Sequence, residues 1–102
     1  MQSELLKKIK SLKDTLLLEG FIIDGIFGSY ARNQANKDSD LDILYHLDEI
    51  FYKNNIGFTG FKKLDEIKKY ISDSVDIKID FAPKNNLSKT AEKYILKDLI
   101  YV

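Results

Sequence analysis

The stretch of this 102-residue chain whose residue types could do chemistry runs from Phe27-Gly28-Ser29, across ten intervening residues, to Asp40-Leu41-Asp42. A strand that ends in Gly-Ser and enters a helix leaves backbone N–H groups free at the helix start. Glycine lets a phosphate approach the backbone closely, and the Ser29 hydroxyl adds a donor. Asp40 and Asp42, two apart on a strand, project from one face and lie roughly 6–7 Å apart along it. Leu41, Ile43, Tyr45 and Leu47 then point the other way, into a core. Two carboxylates beside a phosphate cradle suit phosphoryl transfer assisted by Mg²⁺ or Mn²⁺. Hard oxygen ligands hold such a metal while substrate phosphates complete its shell.

A third acid is available in Val75-Asp-Ile-Lys-Ile-Asp-Phe81, an alternating segment that predicts a strand. Asp76, Lys78 and Asp80 share one face of it. Either acid would complete a two-metal clamp or accept the proton of an attacking hydroxyl. They stand about 13 Å apart along a strand, so both cannot serve the same metals. Each feature has a plainer reading by itself: Gly-Ser as a turn, Asp-x-Asp as a solvated face, Asp-Lys-Asp as a salt-bridged surface. Their coincidence in one strand–turn–helix–strand arrangement is what favours the chemical reading. His46 shares the face of Asp40 and Asp42 and reads as a partly exposed strand histidine. Lys62, Lys63, Lys68 and Lys69 read as a solvated helix face.

Composition narrows the alternatives. The chain has no cysteine and a single histidine, which excludes disulfides, zinc ribbons, iron–sulfur clusters and thiol catalysis. Any metal must be held by carboxylates. Sixteen basic and sixteen acidic residues give zero net charge, a poor footprint for gripping duplex nucleic acid, though compatible with one nucleotide in a local pocket. No stretch of about 18 apolar residues is present, so no transmembrane helix is expected. The opening MQSELLKKIK lacks the apolar core of a secretory signal, which makes the cytoplasm the expected location.

The elements that must position the acids follow from periodicity. Leu5, Leu6, Ile9, Leu12, Leu16 and Leu17 predict a helix over 3–19, stopped by Gly20. Strands are predicted at 21–27, 41–47 and 75–81, with a short helix and loop over 28–39 and a variable loop over 48–60. A helix is predicted at 61–71, a turn at 82–86 and a last helix near 88–98, with an apolar tail that docks. The order is αβ(α)βαβα in one domain, residues 1–102. This is an α/β (α+β) fold with a mixed sheet of three to four strands flanked by helices.

The stretch FGSYARNQANKDSDLDILYHL (27–47) resembles the signature of the DNA-polymerase-β-type nucleotidyltransferases, and most of all the minimal nucleotidyltransferases of prokaryotes. IDFAPKNNLSKTAEKYILKDLIYV (79–102) is similar to that family's ending, and its spacing from Asp80 to Ile95-Leu96 favours Asp80 over Asp76. The resemblance implies that Gly28 and Ser29 hold the triphosphate of ATP and that Asp40, Asp42 and Asp80 are the catalytic, metal-binding acids. It also implies that Arg32 pairs with a phosphate. Many members carry a glycine where this chain has Asn33, a residue that tolerates the left-handed conformation. Members commonly act beside a HEPN-domain partner as antitoxins, transferring AMP from ATP to a tyrosine of that ribonuclease toxin. Three functions are therefore expected in descending order: AMP transfer to a protein hydroxyl, a binding module that neutralises its partner by covering it, and a small-molecule nucleotidyltransferase. The last would ordinarily need a second domain for its acceptor.

Overall fold

The computed structural model describes residues 3–85 and 87–102. Helix α1 (Ser3–Leu17) leads through a left-handed Gly20 into β1 (Phe21–Phe27), followed by the short helix α2 (Gly28–Ala31) and β2 (Leu41–Leu47). Then come α3 (Glu49–Asn54), α4 (Phe58–Val75), β3 (Ile79–Pro83), α5 (Lys89–Asp98) and β4 (Ile100–Tyr101). The four strands form one mixed sheet in the order β3-β2-β1-β4. β1 is antiparallel to both β2 and β4, whereas β2 and β3 are parallel. The expected mixed sheet is present, and the apolar tail docks by becoming its fourth strand.

Three expectations are corrected. The predicted loop at 48–60 contains α3 and the start of α4. Asp48 caps α3 by accepting from the Ile50 and Phe51 N–H groups, and the turn signals Asn54-Asn55 and Gly57 mark helix ends. The predicted strand at 75–81 begins only at Ile79. Val75 ends α4, and Asp76 is its left-handed cap with φ of 54°, its N–H bonded to the Ser72 carbonyl. The strand then continues through Ala82 and Pro83, where a turn was expected. A proline is tolerated there because β3 is an edge strand. Asn86 of that expected turn lies outside the described residues, as do the first two residues of the opening segment.

The two faces of the sheet are covered unequally. On one, Leu41, Ile43 and Tyr45 of β2 pack with Phe21, Ile23 and Ile26 of β1 against Ile9, Leu12 and Leu16 of α1 and Ile67 and Ile71 of α4. The Tyr45 ring stacks on Phe21 at 4.8 Å and meets Phe81 edge-on at 6.1 Å. On the other, α5 lays Ile95 over a small cluster with Phe27 and Leu44. A bulge at Asp24 lets β1 serve both layers. Ile23 pairs with Tyr45 while Gly25 pairs with Leu44, so the in–out alternation shifts by one residue between Ile23 and Ile26. No helix among the described residues is long and apolar enough to cross a membrane.

Candidate active site

The β1–α2 turn is built around Gly28, whose φ is +75°. That conformation costs an L-residue on the order of 1–2 kcal/mol. Space forbids a side chain as well: a Cβ on Gly28 would overlap the Asp42 Oδ2 atom. The backbone of the turn therefore lies directly against the carboxylate of Asp42. Phe27, at the N-cap, gives the turn no side-chain cap. Asn33 takes the left-handed conformation with φ of 57°, so the turn closes without the glycine many members of the resembled family have there.

Asp42 lies on β2, one residue in from its start, and Asp40 immediately precedes the strand. Parallel pairing sets Asp42 directly beside Asp80 of β3, since Leu41 pairs with Ile79 and Ile43 with Phe81. Asp76, outside the strand, has no place in this register. Burial raises the Asp42 pKa above the ordinary carboxylate value, the charges of Asp80 and Asp40 add to the rise, and Arg32 opposes it. Gly28, Asp40, Asp42, Asp80 and Arg32 thus meet at one end of the β2–β3 pair, with Ser29 next in the turn.

Arg32 is held on two edges. Its Nη1 group donates to Asp98 Oδ2 at 2.6 Å, and its Nε–H donates to Gln34 Oε1 at 3.2 Å. The hydrogen bond and charge of Asp98 raise the guanidinium pKa above its ordinary value, against the opposing pull of desolvation; the Tyr94 hydroxyl adds to the rise. Asp98 and Tyr94, both on α5, were missed by reasoning from sequence. Asp98 lies 66 residues from Arg32, and no signal in the sequence linked the two.

His46 does not join the acids. Its Nδ1 lies 2.8 and 2.9 Å from the two carboxylate oxygens of Asp24, the bulge residue, so Nδ1 carries the proton. Of the α4 lysines, Lys62 and Lys69 are exposed as expected, whereas Lys63 and Lys68 are half-buried and partnered. Lys63 pairs with Glu19 at 2.7 Å, and the Lys68 ammonium sits over the Tyr45 and Phe81 rings at 5.4 and 5.6 Å. Lys69 pairs only loosely with Asp73, and both are exposed.

A divalent cation fits this constellation on two observations: Asp42 is crowded by two like charges with one partial counter-charge, and the glycine turn keeps side chains away from it. The acids are neighbours and do not form a closed cage. Among the described residues, no three His, Cys, Asp or Glu side chains converge tightly enough to hold a metal ion by themselves.

Comparison with known proteins gives the family of the chain. Residues 3–102 match the family model described as a nucleotidyltransferase domain. The chain is 39% identical over 101 residues to the protein named "Putative protein adenylyltransferase MJ0126" of Methanocaldococcus jannaschii, covering 97% of this chain and 92% of that one. It is 32% identical over 78 residues to protein adenylyltransferase MntA of Thermococcus cleftensis, covering 76% of this chain and 71% of that one. The fold superposes on a solved structure titled "Structure of putative minimal nucleotidyltransferase" with a TM-score of 0.72. That match spans 100% of this chain and 97% of the other at 21% identity. The chain belongs to the nucleotidyltransferase family.

Proposed function

We propose that the chain, as a single nucleotidyltransferase domain in the cytoplasm, transfers AMP from ATP to a protein hydroxyl. The observation that carries this reading is the register of β2 and β3, which sets Asp80 beside Asp42 with Asp40 at the strand's entrance and Gly28 against the carboxylate. Relatives named protein adenylyltransferase support a protein as acceptor. On the family resemblance the acceptor is a tyrosine of a HEPN-domain toxin, with this chain as its antitoxin.

In this reading Asp40 and Asp42, with Asp80, hold Mg²⁺ or Mn²⁺. When bound, the metal neutralises charge on the attacking and leaving oxygens. The Gly28 turn receives phosphate oxygens at its backbone N–H groups, and the Ser29 hydroxyl donates a further hydrogen bond. Arg32 contributes a charge-assisted bond to a phosphate. The acceptor oxygen bonds to the α-phosphorus, the bond to the bridging oxygen breaks, and pyrophosphate leaves. Asp80 takes the proton of the attacking hydroxyl. Donors fixed before the reaction lose little energy to reorganisation as charge develops.

The test is a mass spectrum of a HEPN-domain partner after incubation with this chain, ATP and Mg²⁺. The reading predicts a gain of one or more adenylate groups together with pyrophosphate release. A partner that is bound and neutralised with its mass unchanged would favour the binding-module alternative.

A further inference from the structure

The Arg32–Asp98 pair joins the glycine turn to a helix that the catalytic reading leaves without a role. Asp98 is the last residue of α5, and its side chain is 14% exposed against 36% for Arg32, so the acid is the more buried anchor of the pair. Arg32 itself caps the C-terminus of α2, with its backbone N–H bonded to the Gly28 carbonyl. Its backbone is thereby tied to the turn and its guanidinium to α5. The guanidinium acts on Asp42 electrostatically, so its charge reaches the acid cluster while it remains bonded to Asp98.

A guanidinium is a planar fork of five donors. Here Nε is engaged by Gln34 and Nη1 by Asp98, and the Tyr94 hydroxyl of the same helix lies beside the guanidinium. An exposed arginine without such anchors samples many rotamers and must be ordered each time a ligand binds. Anchors from α5 and Gln34 hold the guanidinium beside the acid end of the sheet, pre-organised to donate to an anion there.

We infer that Asp98 is a positioning residue for the nucleotide: it fixes Arg32 so that the guanidinium donates to a phosphate oxygen of ATP. The inference rests on the nucleotidyl-transfer reading above and extends it to α5. It makes α5 part of the nucleotide site, and it makes lysine a poor substitute for Arg32, because an ammonium cannot bridge Asp98 and a phosphate in this planar arrangement.

The experiment is calorimetric titration of the intact chain with ATP in the presence of Mg²⁺, on wild type, Asp98→Asn, Asp98→Glu, Arg32→Gln and the double variant Asp98→Asn/Arg32→Gln. Arg32→Gln is expected to weaken binding about tenfold or more, the scale of a charge-assisted hydrogen bond, and Asp98→Asn about fivefold. Asp98→Glu should recover part of that loss. The double variant should bind no worse than Arg32→Gln alone, because Asp98 acts only through Arg32. Melting temperatures of the single variants should stay within about 4 °C of wild type, a stability change of roughly 1 kcal/mol or less. Wild-type affinity in Asp98→Asn alongside a loss in Arg32→Gln would overturn the inference and leave the catalytic reading standing. So would additive losses in the double variant, or unchanged binding in Arg32→Gln. Absence of ATP binding by the wild type would overturn the reading itself and the inference with it. Should Asp98→Asn fail to fold, the Asp98→Glu and Arg32→Gln arms decide.

Discussion

Strand β2 presents two different environments on its two faces. Leu41, Ile43 and Tyr45 are almost wholly removed from solvent against α1 and α4. Between them, Asp42 is half-buried beside Asp80 with its ionised form disfavoured, Leu44 joins a three-residue cluster, and His46 holds Asp24. The first face supplies the hydrophobic stability of the fold. The second gives some of it up to keep like charges together at a glycine turn. The difference teaches that positions one residue apart on a strand can answer to opposite demands, provided the rigid face is well enough packed to hold the strained one.

That contrast can be broken by substitution, and the largest effect belongs to the packed face. Ile43→Ala removes a fully buried side chain and should cost about 2–5 kcal/mol, a large part of the roughly 5–15 kcal/mol a domain has. Chemical denaturation would read this as a lowered midpoint. Gly28→Ala should cost less, on the order of 1–2 kcal/mol from left-handed strain, yet harm function more, because its Cβ displaces the Asp42 carboxylate. A small loss of melting temperature with a large loss of nucleotide transfer is the expected pairing.

Asp42→Asn should sharpen the comparison by moving stability the other way. An acid whose pKa is raised on folding binds its proton more tightly in the fold, so ionising it costs stability. That cost is present above the raised folded value and absent below the ordinary value of 3.8. The asparagine variant should therefore melt slightly higher than wild type at neutral pH, with the gain disappearing as the pH falls below about 3.8. Mg²⁺ should raise the wild-type melting temperature and leave that of the variant unmoved.

Much of the packed face was legible in the sequence. Leucines at helical spacing marked α1, β-branched and aromatic runs marked β1 and β2, and the last helix, expected near 88–98, spans Lys89–Asp98. The acid end was legible as types and spacing: Gly28, Ser29, Asp40 and Asp42 lie where the motif suggested. What escaped were features set by tertiary pairing. Alternation alone left Asp80 and Asp76 equal, and only the family resemblance favoured Asp80, because neither the parallel register nor the helix-capping conformation of Asp76 is encoded in alternation. The bulge at Asp24 is silent in Phe-Ile-Ile-Asp-Gly-Ile-Phe until β2 lies beside it. Helix α3 spans six residues, too few for periodicity to distinguish it from a loop. The link from Arg32 to Asp98 joins distant parts of the chain and exists only once α5 crosses the sheet.

On the function proposed above, the transfer chemistry belongs to the half-exposed face of the β2–β3 pair, where Asp42 and Asp80 lie in register. The most direct test compares Asp80→Asn with Asp76→Asn in an assay of adenylate transfer from labelled ATP to the protein acceptor at saturating Mg²⁺. Asp80, in register with Asp42, should lose at least about a hundredfold in rate on substitution, the scale of a positioned proton acceptor. Asp76, which caps α4 in a conformation asparagine also adopts, should lose little. Near-wild-type transfer by Asp80→Asn, or a ranking in which Asp76→Asn is the more damaged, would contradict the account.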